Sequence, residues 1–152
     1  MRDALVEGVR TAVGDASITE VILRGAGPAF CSGGDLDEFG TLPDPATAHA
    51  IRSTRNAGRL LSHCSDRLRA ELQGACVGAG IELAAFARRV TASGDAFFQL
   101  PEVAMGLIPG AGGTVSIPRR IGRQRTAYLA LSGLPIDAAT AHRWGLIDEI
   151  RA

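Results

Sequence analysis

Over residues 3–13 apolar side chains recur at mostly helical spacing, at Ala4, Leu5, Val9, Ala12 and Val13, and Gly14 follows as a stop. This spacing predicts a short amphipathic helix. The period then changes. Residues 18–23 are rich in β-branched side chains and read as a strand, which runs directly into a glycine-rich stretch at 25–35. Pro43 and Pro45 break the chain again. Residues 46–61 have the length and spacing of a longer helix, with Ala48, Ile51, Leu60 and Leu61 as its inward positions.

Residues 68–77 read as a second strand and its exit, with an unusually charged outer face in the stretch DRLRAELQ. Gly78 and Gly80 precede a strongly helical apolar stretch at 81–86, and residues 90–93 look like a third strand. After a glycine-rich turn at 107–113, helices are predicted near 114–121, 123–132 and 137–144, each set off by glycine or proline, and 147–150 is read as a closing strand. No repeat, linker or low-complexity segment interrupts the series. Alternating strands and helices around one core predict an α/β fold with parallel pairing, its topology left open.

Composition narrows the class. A chain of 152 residues, 46% hydrophobic and 21% charged, fits one globular domain. Net charge is zero, and all sixteen basic residues are arginines scattered along the sequence, so no electrostatic footprint for nucleic acid is present. Cys31, Cys64 and Cys76 are odd in number and lack CxxC spacing, which argues against a disulfide framework and a zinc ribbon and suggests a reducing, cytoplasmic setting. The N-terminal stretch carries acids and a helical pattern rather than a long apolar leader, and no apolar run approaches the roughly 18 to 20 residues that span a bilayer. Neither secretion nor membrane insertion is expected.

Two glycine-rich turns, Ser32-Gly33-Gly34-Asp35 and Gly78-Ala79-Gly80, each follow a strand and lie near a helix start, where unpaired N–H groups can stabilise an anion. Taken singly, each is equally readable as a tight turn, glycine being the default turn residue. Neither completes GxGxxG, and without lysine no Walker motif exists. Glu82 and Glu102 both stand in apolar company, Glu82 within the apolar helix and Glu102 after Pro101. Desolvation there raises a carboxyl pKa toward the range useful for proton transfer, although a single helical glutamate is more often solvated or capping.

Three blocks carry a specific resemblance: ITEVILRGAGPAFCSGGDL at 18–36, GACVGAGIEL at 74–83 and FQLPEVAMGLIPGAGGT at 98–114. Together, in this order, they resemble the signature blocks of the enoyl-CoA hydratase/isomerase, or crotonase, family. The later IDAATAHRWGLIDEI at 136–150 is similar to the segment that follows them. The resemblance implies a crotonase-like (ClpP/crotonase) fold of repeated ββα units in a single domain, 1–152, shortened at both ends. The family's opening strands and C-terminal helices are expected to be missing, which bears on how complete the acyl-CoA pocket is.

The resemblance also implies roles. Gly34 and Ala79 match the positions whose backbone N–H groups form the oxyanion hole, and Glu82 and Glu102 match the two hydratase glutamates. Ser32, Gly33, Gly34, Asp35, Leu36, Gly78 and Ala79 would line the thioester site, with Asp35 read as holding its loop through backbone hydrogen bonds. The implied substrate is an acyl-CoA thioester, with coenzyme A as part of the substrate and no metal or redox cofactor. A homo-oligomer, trimer or hexamer, is implied as well. Cys31 is read as a small buried residue, and His49, His63 and His142 match no motif position. Three functions follow: hydration of a 2-enoyl-CoA, favoured by the retained glutamate pair; another crotonase reaction such as double-bond isomerisation; or a non-catalytic acyl-CoA-binding subunit.

Overall fold

Between residues 68 and 77 the chain makes two strands rather than one, and that division organises the molecule. The computed structural model describes residues 2–35 and 44–151. β2 (Leu68–Leu72) buries Leu68, Ala70 and Leu72 on one face and leaves Arg69 and Glu71 on the other. β3 (Ala75–Val77) then joins a different sheet. The break falls at Gln73 and Gly74. Gly74 has φ +53°, and a Cβ there would lie 2.1 Å from the carbonyl oxygen of Pro28, so only glycine lets the chain pass. Gln73 Nε2 secures the corner by donating to the carbonyls of Gly25 (2.8 Å) and Gly27 (3.1 Å).

The first sheet has four strands in the order β1-β2-β4-β7, all parallel, formed by Val21–Arg24, β2, Arg89–Ser93 and Glu149–Arg151. Parallel pairing was therefore a correct expectation. The charged outer face also exists: Glu71 pairs with Arg24 (2.8 Å) and Arg151 (3.4 Å), and Arg69 with Glu20 (3.0 Å). The second sheet has the order β3-β5-β6, from β3, Phe97–Gln99 and Ile136–Asp137, with β5 and β6 antiparallel. β5 and β6 have three and two residues, too short to show a period of two in sequence. Cys31 extends this sheet by a parallel bridge to Cys76.

Helices fill the spaces between these strands. α1 (Arg2–Gly14) turns Val6, Val9 and Ala12 into the core, whereas Ala4 is exposed. The single helix expected over 46–61 is two, α2 (Pro45–Thr54) and α3 (Ala57–His63). Asn56 divides them by accepting the Arg59 N–H at its side-chain oxygen, 2.8 Å, an N-cap that competes with helix continuation. Leu61 is fully buried, Leu60 half-buried and Ile51 exposed, while the side chain of Ala48 lies outside the described residues. α4 (Ala79–Ala84), α5 (Gly113–Ser132) and α6 (Ala138–Trp144) follow, and α5 holds the two helices expected over 114–132, which meet at Gly122, where φ of 78° and ψ of 164° break the helical geometry. Two strands begin later than expected, β1 at Val21 instead of residue 18 and β7 at Glu149 instead of residue 147.

The element order repeats. A strand of the first sheet, a strand of the second and a helix recur as β1, Cys31, α2 and α3; β2, β3, α4; and β4, β5, α5. Each turn of this spiral lays its second strand beside that of the turn before in the small sheet. Phe98, Leu72, Ile81, Leu100 and Ile117 are buried completely or nearly so between the layers. Among the described residues no helix is long and apolar enough to cross a membrane.

Candidate active site

Three segments far apart in sequence are brought together because they leave three neighbouring strands of the small sheet. Residues 32–35 follow Cys31, Gly78 and Ala79 follow β3, and Pro101 and Glu102 follow β5; the register aligns Cys31 with Cys76 and Val77 with Gln99. The Gly78 N–H extends the ladder to the Gln99 carbonyl at 2.9 Å. Gly78 is the meeting point: a Cβ built on it would stand 2.5 Å from Glu102 Oε1 and 3.9 Å from Gly33 Cα. Its φ of +53° and ψ of −122° also demand glycine. Gly33 has φ +112° and is half-buried; Ser32, Gly34 and Asp35 are exposed, and Leu36 lies outside the described residues. Ala79 opens α4, where helix geometry leaves its N–H without an intrahelical acceptor.

Glu82 lies one turn into α4 and is 1% exposed. Its carboxylate is not abandoned in the core: Oε2 accepts the N–H groups of Ala111 and Gly113, both at 2.8 Å. Ser116 Oγ donates to the Glu82 carbonyl at 2.7 Å. The glycine run fits this seat by what it lacks. A Cβ on Gly113 would come within 2.5 Å of Glu82 Cγ, and one on Gly112, whose φ is +111°, within 2.8 Å of the Phe86 ring. Burial is the main influence on the carboxyl and pushes its pKa up to about 7; the Gly113 N–H opposes that rise and the charge of Glu102 adds to it. The charge of Glu102 thus reaches the Glu82 carboxyl.

Glu102 is held differently. It begins a 3₁₀ turn, Glu102–Met105, after Pro101, and the turn closes at Gly106, whose φ is +72°. Its Oε2 is buried and has no hydrogen-bond partner. Burial raises its pKa as well. An unpartnered buried acceptor is costly unless another group completes it. Oε2 of Glu102 therefore carries unused hydrogen-bonding capacity built into the fold. The remaining predicted positions carry no such tension: Cys31 is half-buried, with Sγ near the Gly33 carbonyl at 3.8 Å, and His63 and His142 are exposed.

The family model for enoyl-CoA hydratase/isomerase matches residues 1–152. The chain belongs to that family. It is 36% identical over 129 residues to the mevalonyl-coenzyme A hydratase of Aspergillus fumigatus, covering 85% of this chain and 48% of the relative. It is 34% identical over 146 residues to the 2,3-dehydroadipyl-CoA hydratase of Escherichia coli, covering 96% and 56% respectively. Against the crystal structure of enoyl-CoA hydratase from Thermoplasma volcanium the TM-score is 0.86 at 32% identity, covering 99% of this chain and 60% of that one. The crotonase-type fold expected from the three blocks is thereby borne out. The chain spans about half the length of the curated relatives it matches.

Ala111, Gly113 and Ser116 escape a reading of the sequence, which sees in 107–113 only a turn. The available signal was the glycine run immediately before a helix, because consecutive N–H groups in such a run form an anion-binding nest. Here the anion is the protein's own carboxylate.

Proposed function

We propose that this chain is an enoyl-CoA hydratase, adding water across the 2,3 double bond of a 2-enoyl-CoA thioester. The observation that carries this reading is the pair of glutamates: Glu82 seated on α5 and Glu102 on Gly78, at the strand edge that also presents residues 32–35 and Ala79. As water adds to C3, negative charge moves to the thioester oxygen. The backbone N–H groups of Gly34 and Ala79 stabilise that oxyanion, each such donor being worth about 3 kcal/mol of barrier. One carboxylate accepts the proton of the attacking water and the pair returns a proton to C2, so atoms balance without a metal or redox cofactor. The charge of Glu102 helps to raise the Glu82 carboxyl, so Glu82 holds a proton more readily while Glu102 is ionised.

The names of several relatives as hydratases support this choice. Ser32, Gly33 and Asp35 then line the thioester together with Gly78. Free thiols at all three cysteines suit a reducing cytoplasm, and exposed Ile108, Leu131 and Leu134 suit a homo-oligomer that covers them. Isomerisation is the second reading, favoured by Glu102 Oε2, whose unused capacity would let one carboxylate carry a proton from C2 to C4.

Loss of the conjugated absorbance of crotonyl-CoA tests the proposal. Wild type is expected to turn over, with Glu82→Gln and Glu102→Gln each slower by at least about 100-fold. Turnover of a 3-enoyl-CoA in place of crotonyl-CoA selects the isomerase. Acyl-CoA binding without any turnover selects a binding subunit. Undiminished hydration in both variants removes the glutamates from the mechanism.

A further inference from the structure

Glu82 receives bonds at two levels from one short stretch. Ala111 and Gly113 hold its carboxylate, and Ser116, one turn later on α5, holds its backbone carbonyl. The second bond fills a gap in the helix. α4 ends at Ala84, and the Phe86 N–H, which would ordinarily close back on the Glu82 carbonyl, donates instead to Leu83 at 3.2 Å. A buried carbonyl left without a donor is destabilising, and the hydroxyl of Ser116, itself 1% exposed, supplies the donor.

We propose that Ser116 is a positioning residue for Glu82: by fastening the Glu82 main chain to the first turn of α5, it keeps the carboxylate in register with the Ala111 and Gly113 N–H groups. The inference rests on Glu82 being a working carboxylate and identifies what aims it. Gly113 has no room for error, since its Cα already lies against Glu82 Cγ so closely that a methyl group would overlap it. A sub-ångström slide of α4 along α5 would lengthen both carboxylate bonds together. The other side of Ser116 is roomier, because a cavity of about 260 Å³, lined also by Ser62, Ser65, Phe86 and Arg119, borders it. A larger side chain at 116 has somewhere to go.

That space makes a matched pair of variants possible. Ser116→Thr and Ser116→Val have nearly the same shape, and only threonine keeps the hydroxyl. With crotonyl-CoA, Ser116→Val is expected to lose about tenfold in kcat with little change in KM, as misaimed catalytic groups do, while Ser116→Thr stays close to wild type. A 13C NMR titration of the Glu82 carboxyl gives a readout that needs no turnover. In Ser116→Val its midpoint should move upward from the wild-type value, because N–H donors that favour the ionised form are lost; threonine should restore it. Valine and threonine variants with the same midpoint and the same kcat would overturn the proposal, as would a valine variant that merely melts earlier. A wild type without turnover would sink the hydratase reading alone, and the titration would still decide the role of Ser116.

Discussion

The two glutamates occupy neighbouring places and are held in opposite ways. Glu82 is enclosed, with one carboxylate oxygen taken by two N–H groups and its carbonyl by a hydroxyl. Glu102 sits at the start of a 3₁₀ turn whose Val103 and Met105 are exposed, and one of its oxygens is buried with nothing to bond. The enclosed carboxylate has its direction fixed before any ligand arrives. The open one keeps capacity for a group that is not part of the protein. Preorganisation and availability are different requirements of acid–base work, and here the fold divides them between two side chains.

The strongest test of that division is Gly113→Ala. The new methyl would meet Cγ, Cδ and Oε2 of Glu82, so the side chain has to swing away about its Cα–Cβ bond and the carboxylate must leave its two donors. We expect hydration to fall by about 100-fold or more, with kcat taking most of the loss, measured by the crotonyl-CoA assay on protein shown to be folded by circular dichroism. Turnover within a few fold of wild type would mean that the fixed direction of Glu82 does not matter.

A second test uses pH and stability. Burial lifts the Glu82 carboxyl to about 7, above its ordinary 4.5, so the folded chain binds this proton more tightly than the unfolded chain. Wild type is therefore favoured below about 4.5 and loses this contribution as pH rises toward 7. Glu82→Gln removes the titration. Its stability relative to wild type should rise between pH 5 and pH 8, by no more than about 3 kcal/mol, the limit set by the size of the pKa change. Glu102 is also raised, being less enclosed, and Glu102→Gln should gain in the same direction by a smaller amount. Urea midpoints at the two pH values measure both. A larger gain for Glu102→Gln would reverse the comparison.

How much of this could be read from the chain depends on distance along it. The strands of the large sheet and α1 announced themselves through side-chain pattern, and Glu82 and Glu102 through apolar neighbours and the blocks around them. β5 and β6 were hidden by their brevity, and β3 because Gly74 looks like any other glycine until Pro28 is beside it. The break at Asn56 was legible in principle, since asparagine is a strong N-cap. The seat of Glu82 was not. Ala111, Gly113 and Ser116 reach it across 29 to 34 residues, and the part played by Gly113 is an empty space that has meaning only once α4 lies against it.

The smallest effect belongs to the open side of the comparison. Gly106 ends the 3₁₀ turn of Glu102 in the left-handed region, and a Cβ there would touch nothing within 4 Å. Gly106→Ala thus changes only backbone preference, at a cost of about 1 kcal/mol, or a melting temperature lower by roughly 3 °C for a chain of this size. The Leu107 N–H also bonds the Glu102 carbonyl at 2.9 Å, so strain at Gly106 reaches the main chain of Glu102 without displacing its carboxyl. If Glu102 works through an oxygen left free to adapt, hydration should stay within a few fold of wild type while the melting temperature falls. A loss of kcat as large as that of Gly113→Ala would show that Glu102 is aimed as strictly as Glu82, and that the difference between the two seats is one of packing and not of function.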